Sequence, residues 1–127
     1  MMRRLKINLA TAALAASTVF AGQAAAADDA KLQASAHLYD TYCAQCHGVN
    51  RNGKGVNTGA LSVQPRDHSD TKGMTSIPRE EMYSAIHDGG ASVNKSNLMP
   101  PWSSVLTDQQ VEDMVSYLRH VCKCDVQ

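Results

Sequence analysis

The stretch Cys43-Ala44-Gln45-Cys46-His47 decides how this chain folds. Its pattern, C-x-x-C-H, is typical of c-type haem attachment. Two thiols at this spacing can each form a thioether to the porphyrin, and the histidine beside the second thiol then lies next to the iron. The same cysteines also fit a thiol-disulfide enzyme or a zinc site. The pattern predicts one covalent haem c with His47 as an iron ligand, and it leaves those two alternatives open.

The N-terminal 27 residues have the features of a secretory signal peptide. Three basic side chains come first, namely Arg3, Arg4 and Lys6. Residues 9–22 are uncharged, and a run of alanines at 24–27 suits signal peptidase. A retained membrane anchor is the alternative, but about 14 apolar residues fall short of the ~20 that a membrane span needs. We therefore expect cleavage near residue 27 and a periplasmic protein.

Residues 28–127 then form the mature protein, and their number fits one domain with one haem. A core this small is marginal alone, so we expect folding to be coupled to cofactor binding. Without the leader, nine basic residues face twelve acidic ones, a net charge of about −3. This charge argues against nucleic-acid binding, which favours a basic face. We expect a monomer with no stable membrane span after cleavage.

Apolar residues at three- and four-residue steps predict three main helices. The first runs from about Ala30 to Cys43, and its stripe consists of Leu32, Ser35, Ala36, Tyr39 and Tyr42. The second begins near residues 76–78 and ends at Gly89-Gly90, since glycine accepts the conformation of a helix end.

The third helix has the clearest start. Thr107 and Gln110 have the spacing of a capping box, and Leu106 and Val111 the spacing of a hydrophobic staple. No segment alternates β-branched residues as a strand does. The predicted fold class is therefore all-α.

A haem protein that only carries electrons needs a second axial ligand, and Met99 is the strongest candidate. It lies in a loop, Leu98-Met99-Pro100-Pro101-Trp102, whose two prolines stiffen the backbone. Met82 and Met114 fall on apolar helix faces and are predicted to fill the core. Met74, in a polar loop, is a weak rival. Of the other histidines only His68 stays open as a ligand, since His37 and His120 are predicted to lie at the surface.

Residues 30–122 resemble the class I single-haem cytochromes c, especially soluble bacterial carriers and the cytochrome subunit of cbb3-type oxidases. The landmarks are Tyr39, Cys43-Ala44-Gln45-Cys46-His47-Gly48, Gly53-Lys54-Gly55, Pro65-Arg66-Asp67, Ile86-His87-Asp88-Gly89, Met99-Pro100-Pro101-Trp102 and Tyr117-Leu118-Arg119. The resemblance implies a cytochrome c fold with three main helices around the haem. It also implies contact between Tyr39 and Tyr117, and a backbone carbonyl, from Val56 or Pro65, that holds Nδ1–H of His47.

Cys122 and Cys124 depart from the family pattern. They can form a local disulfide, for which the helix must unwind, because residues two apart face different ways on a helix. They can also stay free, cross-link to a partner, or complete a zinc site with the cysteines and histidine of the C-x-x-C-H stretch.

Together these features predict a periplasmic electron carrier, not an enzyme. Cys43, Cys46, His47 and Met99 bind the haem, and His47 and Met99 bind its iron. The resemblance implies redox partner proteins such as a reductase, a dehydrogenase or a terminal oxidase, and leaves open which of them is used. A haem sensor or peroxidase-like protein with a labile Met99 is the alternative, beside the thiol and zinc modules.

Overall fold

The computed structural model describes the backbone of residues 13–124 and the side chains of residues 24–124. The predicted basic region at residues 3–6 and the last three residues of the predicted domain lie outside these ranges. The described part of the chain divides into two compact units, one that ends at Lys31 and one that begins at Leu32. Within the described residues, no helix combines the length and the apolar character needed to cross a membrane.

The described residues contain α-helices and 3-10 turns and no β-strand, which confirms the all-α prediction. The α-helices are α1 (Ala13–Tyr42), α2 (Ala44–His47), α3 (Thr71–Thr75), α4 (Arg79–His87) and α5 (Asp108–Cys122), and the 3-10 turns span Thr58–Ala60 and Gly90–Val93. The three predicted helices correspond to α1, α4 and α5. Helix α1 extends further toward the N-terminus than predicted, to Ala13, the first residue whose backbone is described, because its alanine-rich sequence has high helix propensity.

Helix α5 begins at the predicted capping box. The Thr107 hydroxyl accepts a hydrogen bond from the Gln110 backbone N–H at 3.2 Å, and the Gln110 side-chain oxygen accepts one from the Thr107 N–H at 2.9 Å. Leu106 and Val111, the predicted staple pair, are both buried. The helix start is thus fixed by residues close in sequence.

One face of α5 forms the centre of the core. It packs against α3 and α4, and its buried residues are Val111, Met114, Val115, Tyr117, Leu118 and Cys122. From α4, Met82 and Ile86 are buried in the same cluster. Each fully buried aliphatic side chain contributes about 1.5–3 kcal/mol, so this face stabilises the helices that surround the site. Met82 and Met114 fill the core as predicted.

Helix α5 ends in a disulfide between Cys122 and Cys124, one of the arrangements expected from the sequence. Lys123 between them has φ +54°, so the chain leaves the helix at this residue. The Cys122 carbonyl accepts a hydrogen bond from the Thr71 hydroxyl at 2.7 Å. Arg119 donates to the Ile77 carbonyl at 2.6 Å. These bonds connect the end of α5 to the segment that contains α3.

Candidate functional site

The four residues predicted to bind haem line one cavity of about 460 Å³. They are Cys43, Cys46, His47 and Met99. The cavity lies within the ~300–1,000 Å³ typical of ligand and cofactor sites. Apolar walls come from α3, α4 and α5 and from the segment between α3 and α4, with Met74, Ile77, Met82, Ile86, Met114 and Leu118 among the lining residues. The fold therefore brings together residues that lie more than 50 positions apart in sequence.

The junction between α1 and α2 presents the two cysteines. The Cys43 N–H still donates to the Tyr39 carbonyl at 2.8 Å, and the His47 N–H donates to the Cys43 carbonyl at 2.9 Å. Both thiols are free and half-buried. Burial raises the pKa of Cys43 to about 11, and the neighbouring Cys46 adds to this effect. At neutral pH the Cys43 thiol is therefore protonated.

A loop over residues 53–57 closes the carbonyl end of α2. The N–H groups of Gly53, Gly55 and Asn57 donate to three successive carbonyls, those of His47, Cys46 and Gln45, at 2.9, 3.0 and 3.0 Å. A side chain at position 55 would collide with the Gln45 carbonyl, so only glycine allows this approach. Through these hydrogen bonds to its backbone carbonyls, the loop fixes the position of the C-x-x-C-H segment.

The ring of His47 is oriented by a backbone carbonyl. Its Nδ1 lies 3.2 Å from the Arg66 carbonyl oxygen. The predicted partners, Val56 and Pro65, are both wrong, because the chain turns so that the carbonyl one residue after Pro65 faces the ring. Burial lowers the pKa of His47, and the Arg66 bond opposes this. A neutral ring that donates through Nδ1 keeps the Nε2 lone pair for a metal.

Met99 lies in a loop, as the sequence predicts, and the structure shows that this loop packs against the end of α4. Its carbonyl accepts from the Gly90 N–H at 3.0 Å, and the Trp102 N–H donates to the Ile86 carbonyl at 3.0 Å. Gly89, with φ +87°, lets this loop approach, since an added Cβ would lie 3.0 Å from the Met99 carbonyl. The Trp102 ring packs on Tyr42 with centroids 5.4 Å apart. Both ends of the loop are thus anchored.

Residues 30–118 match the family described as cytochrome c oxidase, cbb3-type, subunit III. The chain belongs to this cytochrome c family. It is also 31% identical over 91 residues to the quinohemoprotein alcohol dehydrogenase ADH-IIG of Pseudomonas putida. That match covers 72% of this chain but spans only 11% of the length of the dehydrogenase. No solved structure matches the chain significantly. Cytochrome c domains carry covalently bound haem c and typically act as electron carriers.

The residues of the cavity fit such a group. Both cysteines are free thiols, the state from which thioethers form, and the His47 ring is oriented through Nδ1. In the part of the chain whose side chains are described, every buried side-chain nitrogen and oxygen has a hydrogen-bond partner. The cavity walls are mostly apolar, as the faces of a porphyrin require, and polar side chains such as Gln64 and Lys95 also line the cavity.

A second histidine of the cytochrome, His68, stacks on His47. The ring centroids are 4.4 Å apart and the planes differ by 15°. His68 is buried, and its Nδ1 is joined to the Tyr39 hydroxyl by a 3.1 Å hydrogen bond. Burial, with His47 nearby, lowers the pKa of His68 to about 3, so the ring is neutral at physiological pH. From the sequence, His68 was only a weak candidate for an iron ligand. Its stacking on His47 was not predicted.

Tyr39 connects this pair to α5. Its ring lies 5.9 Å from the ring of Tyr117, which confirms the contact implied by the resemblance. The Arg51 guanidinium lies 4.8 Å from the centroid of the Tyr39 ring and donates to the Tyr117 hydroxyl at 2.7 Å. Arg51 also forms a 2.9 Å salt bridge with Asp40. Sequence reasoning did not find this role for Arg51, because its partners lie up to 66 residues away.

The other potential ligands match the expectations only in part. Met74 was expected in a polar loop, but it lies in α3, is 1% exposed and lines the cavity. His37 and His120 are exposed, as predicted. The zinc alternative counted Cys122 and Cys124 as ligands, but these are bonded to each other. Among the described residues, no three His, Cys, Asp or Glu side chains are grouped to hold a metal ion.

Proposed function

We propose that this cytochrome is an exported electron carrier with one haem, bound covalently by Cys43 and Cys46. His47 and Met99 are its iron ligands. The observation that carries the proposal is that these four side chains line a single apolar cavity. When bound, the haem supplies a centre that gains and loses one electron. The protein is not an enzyme in this proposal, because it positions the redox centre and adds no substrate chemistry.

The residues around the cavity set how readily the centre accepts an electron. A thioether ligand from Met99 favours the ferrous state and raises the potential. Buried walls such as Met74 and Ile86 exclude water, which also favours the state of lower charge. The Arg66 carbonyl holds His47 and increases its basicity. We expect a positive midpoint potential, and a redox titration with a midpoint well below zero contradicts the proposed ligands.

Export to the periplasm is part of the proposal. It is supported by the basic start, the uncharged segment and the alanine run within residues 1–27. The expected mature protein begins near residue 28 and is a monomer. Intact-mass measurement of the purified protein tests this, and a mass that includes residues 1–27 refutes cleavage.

The partners are inferred from the matched proteins. The family is named for an oxidase subunit, and the matched relative is an alcohol dehydrogenase far longer than this chain. We propose that the carrier accepts electrons from a dehydrogenase and delivers them to a terminal oxidase. Stopped-flow mixing of the ferric protein with a reduced quinoprotein dehydrogenase tests whether the carrier accepts electrons from such a donor. Reduction no faster than that by the buffer alone contradicts it.

Met99 is tested against Met74, the weak rival named from the sequence, which also lines the cavity. Met99→Ala should abolish the sulfur-to-iron charge-transfer band of the ferric protein, and Met74→Ala should keep it. The opposite result identifies Met74 as the ligand. Acid-acetone extraction tests the covalent bonds, since the pigment must stay with the polypeptide. Rapid binding of carbon monoxide by the wild type favours the sensor or peroxidase-like alternative.

A further inference from the structure

Two neighbours contact the His47 ring, the Arg66 carbonyl at its Nδ1 edge and the His68 ring on one face. The Arg66 carbonyl holds the Nδ1 edge, at 3.2 Å. The ring can turn about its Cβ–Cγ bond, and one hydrogen bond as long as 3.2 Å opposes that rotation only weakly. The nearly parallel ring of His68, 4.4 Å away, blocks this rotation, because a turned His47 ring would collide with it or lose contact.

His68 can act in this way because it is itself fixed. Its Nδ1 is bonded to the Tyr39 hydroxyl at 3.1 Å, and the two rings meet edge to face with centroids 5.8 Å apart. Tyr39 is 1% exposed and lies between the Arg51 guanidinium and the Tyr117 ring. The anchor is therefore part of the core of residues 32–127.

We propose that His68, anchored by Tyr39, is a positioning residue for the iron ligand His47. It fixes the rotation of the His47 ring and covers one face of that ring against water. The proposal rests on the proposed function, in which His47 binds the haem iron. Ring orientation and water exclusion at an axial ligand both tune the metal, so His68 acts on the potential without touching the iron.

The test compares four forms of the holoprotein: the wild type, His68→Ala, His68→Phe and the matched control His120→Ala, whose histidine is exposed. The readouts are the electron paramagnetic resonance spectrum of the ferric protein and the midpoint potential. His68→Ala should shift or broaden the g-values and lower the potential, because water gains access to His47. His68→Phe keeps a flat ring in the stack and should restore most of the wild-type behaviour. His120→Ala should leave both readouts unchanged.

Tyr39→Phe removes the hydroxyl and keeps the ring, so it tests the hydrogen bond that anchors His68. It also replaces His68→Ala in the test if that variant does not fold. It should shift both readouts in the same direction as His68→Ala but less. In the double variant with His68→Ala, Tyr39→Phe should cause no further shift in the g-values or the midpoint potential, since both substitutions act through the His68 ring. The positioning role is overturned if His68→Ala gives the same readouts as His120→Ala, or if the effects of His68→Ala and Tyr39→Phe are additive. Neither result affects the proposed function. A wild type without covalent haem overturns the proposed function, and the positioning role with it.

Discussion

Gly55→Ala should destabilise the protein through the C-x-x-C-H segment. The backbone at this position is one that alanine can adopt, so the effect is steric. An added Cβ would collide with the Gln45 carbonyl and lie 2.6 Å from the Cys46 carbonyl carbon. Both atoms belong to the backbone of α2, so neither can move aside as a flexible side chain can. The loop over residues 53–57 must therefore move away from α2.

The cost follows from the contacts that this movement breaks. Two hydrogen bonds, from Gly55 to Cys46 and from Asn57 to Gln45, are lost or stretched, at about 0.5–1.5 kcal/mol each. Overpacking adds about 1–3 kcal/mol. Alanine lowers the conformational entropy of the unfolded chain, which stabilises the folded state by about 0.4–1 kcal/mol and offsets part of this loss. The central values of these contributions give an expected net loss of about 3 kcal/mol, within a range of about 1–6 kcal/mol, and about 3 kcal/mol corresponds to roughly 10 °C or more in the Tm of a domain this size.

Gly59→Ala is the matched control. Gly59 lies four residues further on, and a Cβ there meets no atom within 4 Å. This variant should be as stable as the wild type or slightly more so. The assay is urea unfolding of each holoprotein, followed by circular dichroism, together with the yield of covalent haem. Equal midpoints for the two variants refute the claim that the loop must approach α2 this closely.

Three further predictions follow from the described contacts. Thr107→Ala removes the capping box of α5 and should cost about 1 kcal/mol in urea unfolding. The Asp88 carboxylate raises the pKa of His87 above its ordinary 6.5, so its stabilising contribution is full below about pH 6.5 and is lost as pH rises through the folded-state pKa. Titration of His87 by NMR should show this, and Asp88→Asn should lower the midpoint. Thiol counting on the denatured holoprotein should find no free thiol, because Cys122 and Cys124 are bonded to each other and the proposed thioethers occupy Cys43 and Cys46.

Much of the fold was predictable because its signals are local. The capping box at Thr107 and the apolar stripe that follows it lie within one stretch of sequence, and helix α5 forms as predicted. The early start of α1 was missed, because the alanine-rich segment was interpreted only as a leader. Helices α2 and α3 have four and five residues, too few to be stable alone. They depend on tertiary contacts, such as the bond from Thr71 to the Cys122 carbonyl, that no local pattern reveals.

The same distinction applies to the site. Cys43, Cys46 and His47 form a local motif, and Met99 is marked by the two prolines after it, so all four could be predicted to share a site. The partners of His47 could not be predicted, because they lie 19 and 21 residues away and one of them is a main-chain carbonyl. Met74 was misplaced since its sequence neighbours are polar, whereas tertiary packing buries it.

In the proposed arrangement, the residues that hold the haem differ from those that tune its potential. The thiols and the imidazole come from five consecutive residues, so substitutions there should abolish attachment whatever surrounds them. The orientation of the imidazole depends on Arg66, His68 and Tyr39, which touch neither thioether position nor the iron in the proposed arrangement. Changes at these positions should leave attachment intact and move the potential.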